Sequence, residues 1–562
     1  MKFKTLHYSG LLIGGLVLAT SCIDDKYDLS DIDTTTAIKL DNLVVPVNLN
    51  EITLDQVLDI DENDPDATIT IVDGYYAIKK EGNINETTIE LGTIEATAAT
   101  VPELLVPDIA VPTSLTVSIP ETYTDYSYLV KDVDESIQSV KHLYLKEGEY
   151  LPIEISVGLY GAGDNSIVEN LVIAIPEEFE AIYKGQQVEN GILNLGNLSQ
   201  TGSEPIWVKG INFITDEHPN GIEAYETENG WTLSFEGKIG IKSADIKVEK
   251  QSEKVTFYAH FSLGGFVVER IVGDIEYQVT PPVINAVSLS DLPDFLSQDD
   301  TMLELVNPQI YVSLNNMVGA PCYTGLSLTP VRDNQTNPNY TVDITVGSNP
   351  SEDEYFNLLI APDPKKGAFL NTEKWKNSTP VEFTDLKYII GSKDYTGIPK
   401  EIEISLVDPI IRGEVDINLN NPIEFSGDYM FFTPLSLAEG STIVYSKEER
   451  DFFGDDMEDV RVDVLSLTAN VTTNLPFAVT LTAKPLDKNG NPIKNIVAKA
   501  VIPANASNSP INLEFNESFT GLDGVYYEAV VVVGEDESLA PSQHIKLDNI
   551  RAKVSGEYVT KL

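Results

Sequence analysis

Through most of the chain apolar residues alternate with polar ones, or gather in short β-branched runs. Strict alternation marks 151–161 (LPIEISVGLYG), 231–243, 255–263, 308–314 and 401–407 as half-buried strands. The run AVVVVG at 529–534 fits a strand covered on both faces. ATITIVDGYYAIKKEG at 67–82 predicts a hairpin turning at Asp73-Gly74, and 478–493 carries the turn dipeptide Asn489-Gly490. Helical spacing is scarce, with only 52–60 and 288–296 suiting short helices. Prolines and glycines are spread along the whole chain as turn punctuation. Strands recurring about every 8–12 residues make the class all-β, and tandem β-sandwich domains the expected architecture.

Three segments echo one another: 305–321, 415–422 and 467–476 each alternate, reach an Asn, and meet a Pro a few residues later. Physically this is a strand closing in an Asn-favoured turn, with Pro opening the next extended segment. The pattern resembles immunoglobulin-like or late-embryogenesis-type β-sandwich modules. Composition breaks divide the folded part into 42–135, 136–280, 283–398 and 399–562, with the acidic 131–136 segment and the stiff Pro281-Pro282 pair as boundaries.

The N-terminus supplies the most specific motif. Lys2 and Lys4 precede an apolar run from Leu11 to Ala19 that is too short to span a bilayer, and Ala19, Thr20 and Ser21 lead into Cys22. This resembles the lipobox of bacterial lipoprotein signal peptides. The resemblance implies a signal peptide over 1–21, an acylated Cys22 (with palmitate among its chains) as first mature residue, and outer-membrane lipid as a partner. An ordinary secretory leader that happens to contain a cysteine is the plainer reading. Asp24 and Asp25 directly after the cysteine resemble the surface-export signal of Bacteroidetes lipoproteins, which implies an anchor on the extracellular side of the outer membrane. A solvated tether over 22–41 explains the same acids.

Charge then narrows the partners. Among 562 residues, 37 are Lys or Arg and 88 are Asp or Glu, so the formal net charge is −51. Losing the leader removes two lysines and no acid, which makes it −53. Such a chain repels nucleic acid, and it offers no basic patch to an anionic lipid surface. Once Cys22 is acylated, Cys322 has no partner for a disulfide, so stability falls to apolar cores. Cys322 follows Pro321 in an apolar stretch, which fits a buried, inert thiol.

Catalytic signatures are missing. His142, His218, His260 and His544 stand far apart in sequence, and HExxH, CxxC, GxSxG, P-loop and GxGxxG patterns are absent. A polysaccharide hydrolase needs only two carboxylates, which 88 acids neither support nor exclude. Asp59, Asp61, Asn63 and Asp66 begin like a calcium loop, although Asp64 stands where Gly should and Thr70 where the bidentate Glu should. Structural Ca²⁺ is therefore an option beside a plain solvated loop, as it is for Asp455, Asp456, Glu458 and Asp459. Trp375, in the polar setting KWKNS, with Trp207, Tyr123, Tyr126 and Tyr128, are candidates for stacking sugar rings, while Trp231 opens a strand and suits a core. Asp33-Thr34-Thr35 and Asp300-Thr301-Met302 resemble Bacteroidetes O-glycosylation acceptors. The expectation is a non-enzymatic surface lipoprotein that binds extracellular glycan or protein. The alternatives are an accessory subunit of a fimbria-like assembly and, less favoured, a hydrolase.

Overall fold

The computed structural model describes residues 39–47, 52–54, 58, 67–110, 116–163, 166–198, 204–228, 230–248, 254–333, 337–348, 355–366, 374–450 and 460–558. Cys22, Asp24, Asp25, Asp33, Asp59, Asp61, Asn63, Asp66 and the 455–459 acids lie outside them. No helix among the described residues is long and apolar enough to cross a membrane.

The fold is all-β. Its largest sheet runs, strand beside strand, through 340–346, 322–331, 401–418, 266–278, 137–145, 206–212, 151–160, 255–263 and 104–109. A second sheet, ordered 192–198, 167–174, 230–247 and 225–227, also takes 116–119 and 122–130 onto the 230–247 strand. Its rings meet those of the large sheet, as in Tyr128 on Phe266 at 5.5 Å. A third sheet is ordered 379–382, 356–361, 309–316, 423–434, 75–89 and 69–72, and only its 356–361/379–382 pair is parallel. The C-terminal unit joins 39–47, 544–558, 460–473 and 509–515 in one sheet and 442–449, 524–532, 479–486 and 498–502 in another.

Several alternating strands form as their pattern dictates, whereas 309–316, expected to be half-buried, is buried on both faces, and the 529–532 run, expected to be covered on both faces, is half-buried with Val532 57% exposed. Strand Val255–Leu263 buries every odd residue from Val255 to Leu263, and Leu151–Tyr160 buries Leu151, Ile153, Ile155, Val157 and Leu159. Asp73 and Gly74 both take positive φ, at 51° and 83°, the geometry of the tight hairpin turn between 69–72 and 75–89. The Asn turns also take the expected form. Asn316 accepts from the Val318 amide at 3.2 Å and donates to the Ala320 carbonyl at 2.8 Å, and Asn418 accepts from Asn420. The 288–296 helix does not form: Pro293 permits only a 3-10 turn at Asp294–Ser297. Of the other predicted helix, Ile52 and Thr53 pair as a strand with Ile545 and His544, while Leu54 and Leu58 are helical.

Strand pairing crosses every predicted domain cut. Strand 75–89 pairs with 423–434, 104–109 with 255–263, and 39–47 with 544–558. The Pro281-Pro282 break does not separate units either. After it the chain builds the third sheet's core and returns as 401–418 alongside 266–278, with nine residue pairs from Arg270↔Asn418 to Gln278↔Ile410. Local composition can mark a stiff bend, but it cannot report a strand that comes back about 140 residues later.

Charged side chains decorate that seam. Arg412 stands opposite Glu276 and bonds it at 2.9 Å, and Arg270 grips Asp416 with both carboxylate oxygens at 2.9 Å. Asp274 faces Glu414 directly, a like-charge pair that would repel. Lys141 resolves it, with its ammonium 3.1 Å from Asp274 and 2.6 Å from Glu414. It reaches there because Lys141 is the extra residue of a bulge: Val272 pairs with His142 and Gly273 with Val140.

A second device recurs in the sheets. Gly82 lies opposite Tyr429, Gly158 opposite Tyr258, and Gly237 opposite Tyr126. At each, a Cβ would sit 2.3–2.6 Å from the tyrosine ring, so the ring occupies the place of the missing side chain. Glycine weakens a strand, and an aromatic laid across it restores the packing.

Candidate functional site

The three tyrosines of 122–130 separate by parity. Tyr123 points outward and is 41% exposed, while Tyr126 and Tyr128, at even positions, turn inward at 4% and 2%. The grouping of all three as one exposed platform is therefore corrected: alternation puts Tyr123 on the other face. Tyr123 instead donates to Glu121 at 2.5 Å.

Tyr126 and Tyr128 nevertheless help line an opening that is both polar and aromatic. It is a cleft of about 530 Å³ where the second sheet parts from the large one. Its floor is a train of rings. Phe179 meets Tyr126 at 5.6 Å, Tyr126 meets Tyr128 at 6.2 Å, Tyr128 stacks on Phe235 at 5.0 Å, and Phe235 meets Phe213 at 5.0 Å. The absent side chain of Gly237 is what lets the Tyr126 ring lie flat there. Burial, and then the Glu178 charge, push the Tyr126 phenol well above its usual range, and burial does the same to Tyr128. Both phenols are therefore neutral in any ordinary solution. Tyr128 donates to the Gly264 carbonyl at 2.8 Å.

The rim is polar: Glu178, Asp216, Glu217, His218 and Glu236, with Ser127, Thr215 and Ser234. Asp216, Glu217 and His218 sit on a loop whose shape is fixed by its own backbone. Thr215 N–H donates to the His218 carbonyl at 3.2 Å, His218 N–H to Thr215 Oγ1 at 3.0 Å, and Gly221 N–H to the His218 carbonyl at 3.1 Å. Gly221 closes the loop at φ 79°, where a Cβ would lie 2.2 Å from the Val140 carbonyl oxygen. The site therefore offers carboxylate acceptors and small hydroxyls above an apolar floor, which suits a ligand rich in O–H or N–H donors.

Trp375 is not on the surface. It is 8% exposed, and the 374–377 turn lays it on the outer face of the third sheet, 5.4 Å from Tyr311 and beside Met430 and Phe432. The polar neighbours that suggested exposure do not keep the ring in water, and the Lys374 ammonium lies 4.6 Å over it. Trp207 is 42% exposed on 206–212, opposite Pro152, and lies apart from the cleft lining. Trp231 packs partly buried against the core. Cys322 is buried, and burial pushes its thiol up to about 11.

His142 sits in a polar cluster on the large sheet, stacked on Tyr144 at 4.0 Å with Glu180 at 3.4 Å. Burial, outweighing Glu180, holds its imidazole below the usual range, so it is neutral at pH 7. Among the described residues no three His, Cys, Asp or Glu side chains are grouped to hold a metal ion.

No family model matches the chain, and no curated protein matches it. The chain is similar in part to the crystal structure of a candidate secreted protein from Parabacteroides distasonis. Sequence identity is 17% and the TM-score 0.32, and the match covers 51% of this chain and 88% of that one.

Proposed function

We propose that the protein is a non-enzymatic, lipid-anchored receptor of the outer cell surface that binds extracellular glycan in the cleft between its second sheet and its large sheet. The observation that carries this reading is the cleft itself, where a floor of five rings is ringed by four carboxylates. Sugar hydroxyls donate to carboxylates, and the apolar face of a sugar ring suits the apolar floor. The leader ending at Cys22, with Asp24 and Asp25 behind it, supports the anchor and the outward orientation.

The test uses the mature chain on a glycan array, followed by calorimetry with the best ligand. Glu178→Gln and Glu236→Gln should each weaken binding about tenfold, the value of one to two charge-assisted hydrogen bonds. Failure to bind any glycan, together with turnover of a polysaccharide, would replace this reading with the hydrolase.

The assembly-subunit alternative looks to the free edge at 104–109, where Leu105 is 50% exposed and a donated strand could add. Pro107 and Asp108, the latter at φ 57°, interrupt that edge, which favours the receptor.

A further inference from the structure

We propose that the C-terminal unit carries a second, wholly apolar ligand site, independent of the cleft. It is a cavity of about 150 Å³ between the inner face of 442–449, 479–486 and 524–532 and the 292–305 segment of the neighbouring unit. Val479, Leu481, Ala529 and Val531 form one wall, and Leu296 and Leu303 face them. Every described residue around it is aliphatic or aromatic. The one with a polar side-chain atom is Tyr445, whose ring meets Phe295 edge-on at 5.7 Å.

Protein interiors pack closely and leave few voids larger than a water. A space of this size could not keep water, since a buried water needs two to four polar partners and the walls offer almost none. Nor can the walls close on it, because hydrogen bonds fix their separation. Met302 and Thr442 exchange N–H···O bonds at 2.8 and 2.7 Å. The Thr301 hydroxyl accepts from the Val444 amide at 3.3 Å, and Ser441 Oγ accepts from the Glu304 amide and donates to its carbonyl, both at 3.1 Å. Leu305 bridges to Leu437 in the same ladder. A dry space held open by backbone pairing calls for an apolar occupant. Its volume matches that of an engineered Leu/Ile/Phe-lined cavity that takes benzene or xenon. The ligand class is thus a small aromatic molecule or the end of an alkyl chain, with any polar head left outside.

Thermal unfolding of the mature chain with benzene and with decanoate as probes tests this. A saturable rise in unfolding temperature with either probe is expected, benzene alone indicating a compact ligand and decanoate alone a chain. Ala529→Leu, which fills the space, should raise the unliganded unfolding temperature and weaken the responding probe at least tenfold. No response to either probe, or an equal response in Ala529→Leu, overturns the proposal. Leu305→Ala provides a second route if the filled variant does not fold. It should lower the unliganded unfolding temperature and bind naphthalene at least tenfold more tightly than the parent, and equal naphthalene affinity in the two proteins overturns the proposal.

Discussion

Replacing Lys141 by Met would expose how the seam between strands 266–278 and 401–418 is held. The substitution keeps the aliphatic stem and removes only the charge. Asp274 and Glu414 both contact the Lys141 ammonium, at 3.1 and 2.6 Å, so their oxygens lie no more than about 6 Å apart. Two unit charges at that distance repel by about 0.7 kcal/mol in water and about 3 kcal/mol at an effective dielectric of 20. The Asp274 and Glu414 side chains are 39% and 60% exposed, which places the cost of Lys141→Met toward the lower end, about 1–2 kcal/mol. Urea unfolding at pH 7, followed by tryptophan fluorescence, would read this as a lower midpoint with unchanged slope. Adding Glu414→Gln removes the repulsion and should restore most of the loss. The pH dependence has a definite sign. The hydrogen bond that Lys141 donates to Glu414, outweighing burial, holds its ammonium above the ordinary range. Its contribution is therefore complete below about pH 10.5 and fades as pH rises through the higher folded value. The parent should lose this increment in strongly alkaline buffer, where parent and Lys141→Met converge. A double variant no more stable than Lys141→Met alone would refute the account of Lys141 as the neutralising residue.

Other substitutions separate structural rings from available ones. Gly158→Ala places a methyl where the Tyr258 ring lies and should cost about 1–3 kcal/mol, whereas Gly92→Ala, with open space around it, should cost well under 1 kcal/mol on the same urea assay. Trp375→Ala empties the patch on Tyr311 and should cost about 3–5 kcal/mol, while Trp207→Ala should stay within about 1 kcal/mol. Cys322 should resist iodoacetamide at pH 8 in the folded protein and react once urea unfolds it, read by mass spectrometry. Rapid labelling of the native chain would contradict its burial.

Strand positions were legible because burial on one face writes itself into every second residue, as at 255–263. The same parity rule, applied to 122–130, would have separated Tyr123 from Tyr126 and Tyr128. Trp375 was not legible, since its cover depends on the outer face of the third sheet being apolar. The hint lay elsewhere, in the unbroken runs at 310–312 and 429–432 that signal a sheet covered on both sides. The cleft drew no notice because its parts are dispersed: Glu178 before one strand, Phe235 and Glu236 within another, and Asp216 to His218 on a loop. The sequence TDEHPNG at 215–221, polar and closed by Gly, was the available signal. Register between strands more than a hundred residues apart has no local signature, so the seam and the interleaved units could only come from the fold.

The pairing of 39–47 with 544–558 has a consequence for the order in which this molecule can be made. Lys39 lies opposite Glu557 and Val47 opposite Ile550, so the strand that emerges among the first waits for one that emerges among the last. Whatever precedes 39–47 is thereby coupled to 544–558. A chain stopping just short of residue 544 would leave 39–47 without that partner while 104–109, 151–160 and 255–263 kept their ladders. Such a truncation would thus be felt first at 39–47, about 500 residues away from it in sequence.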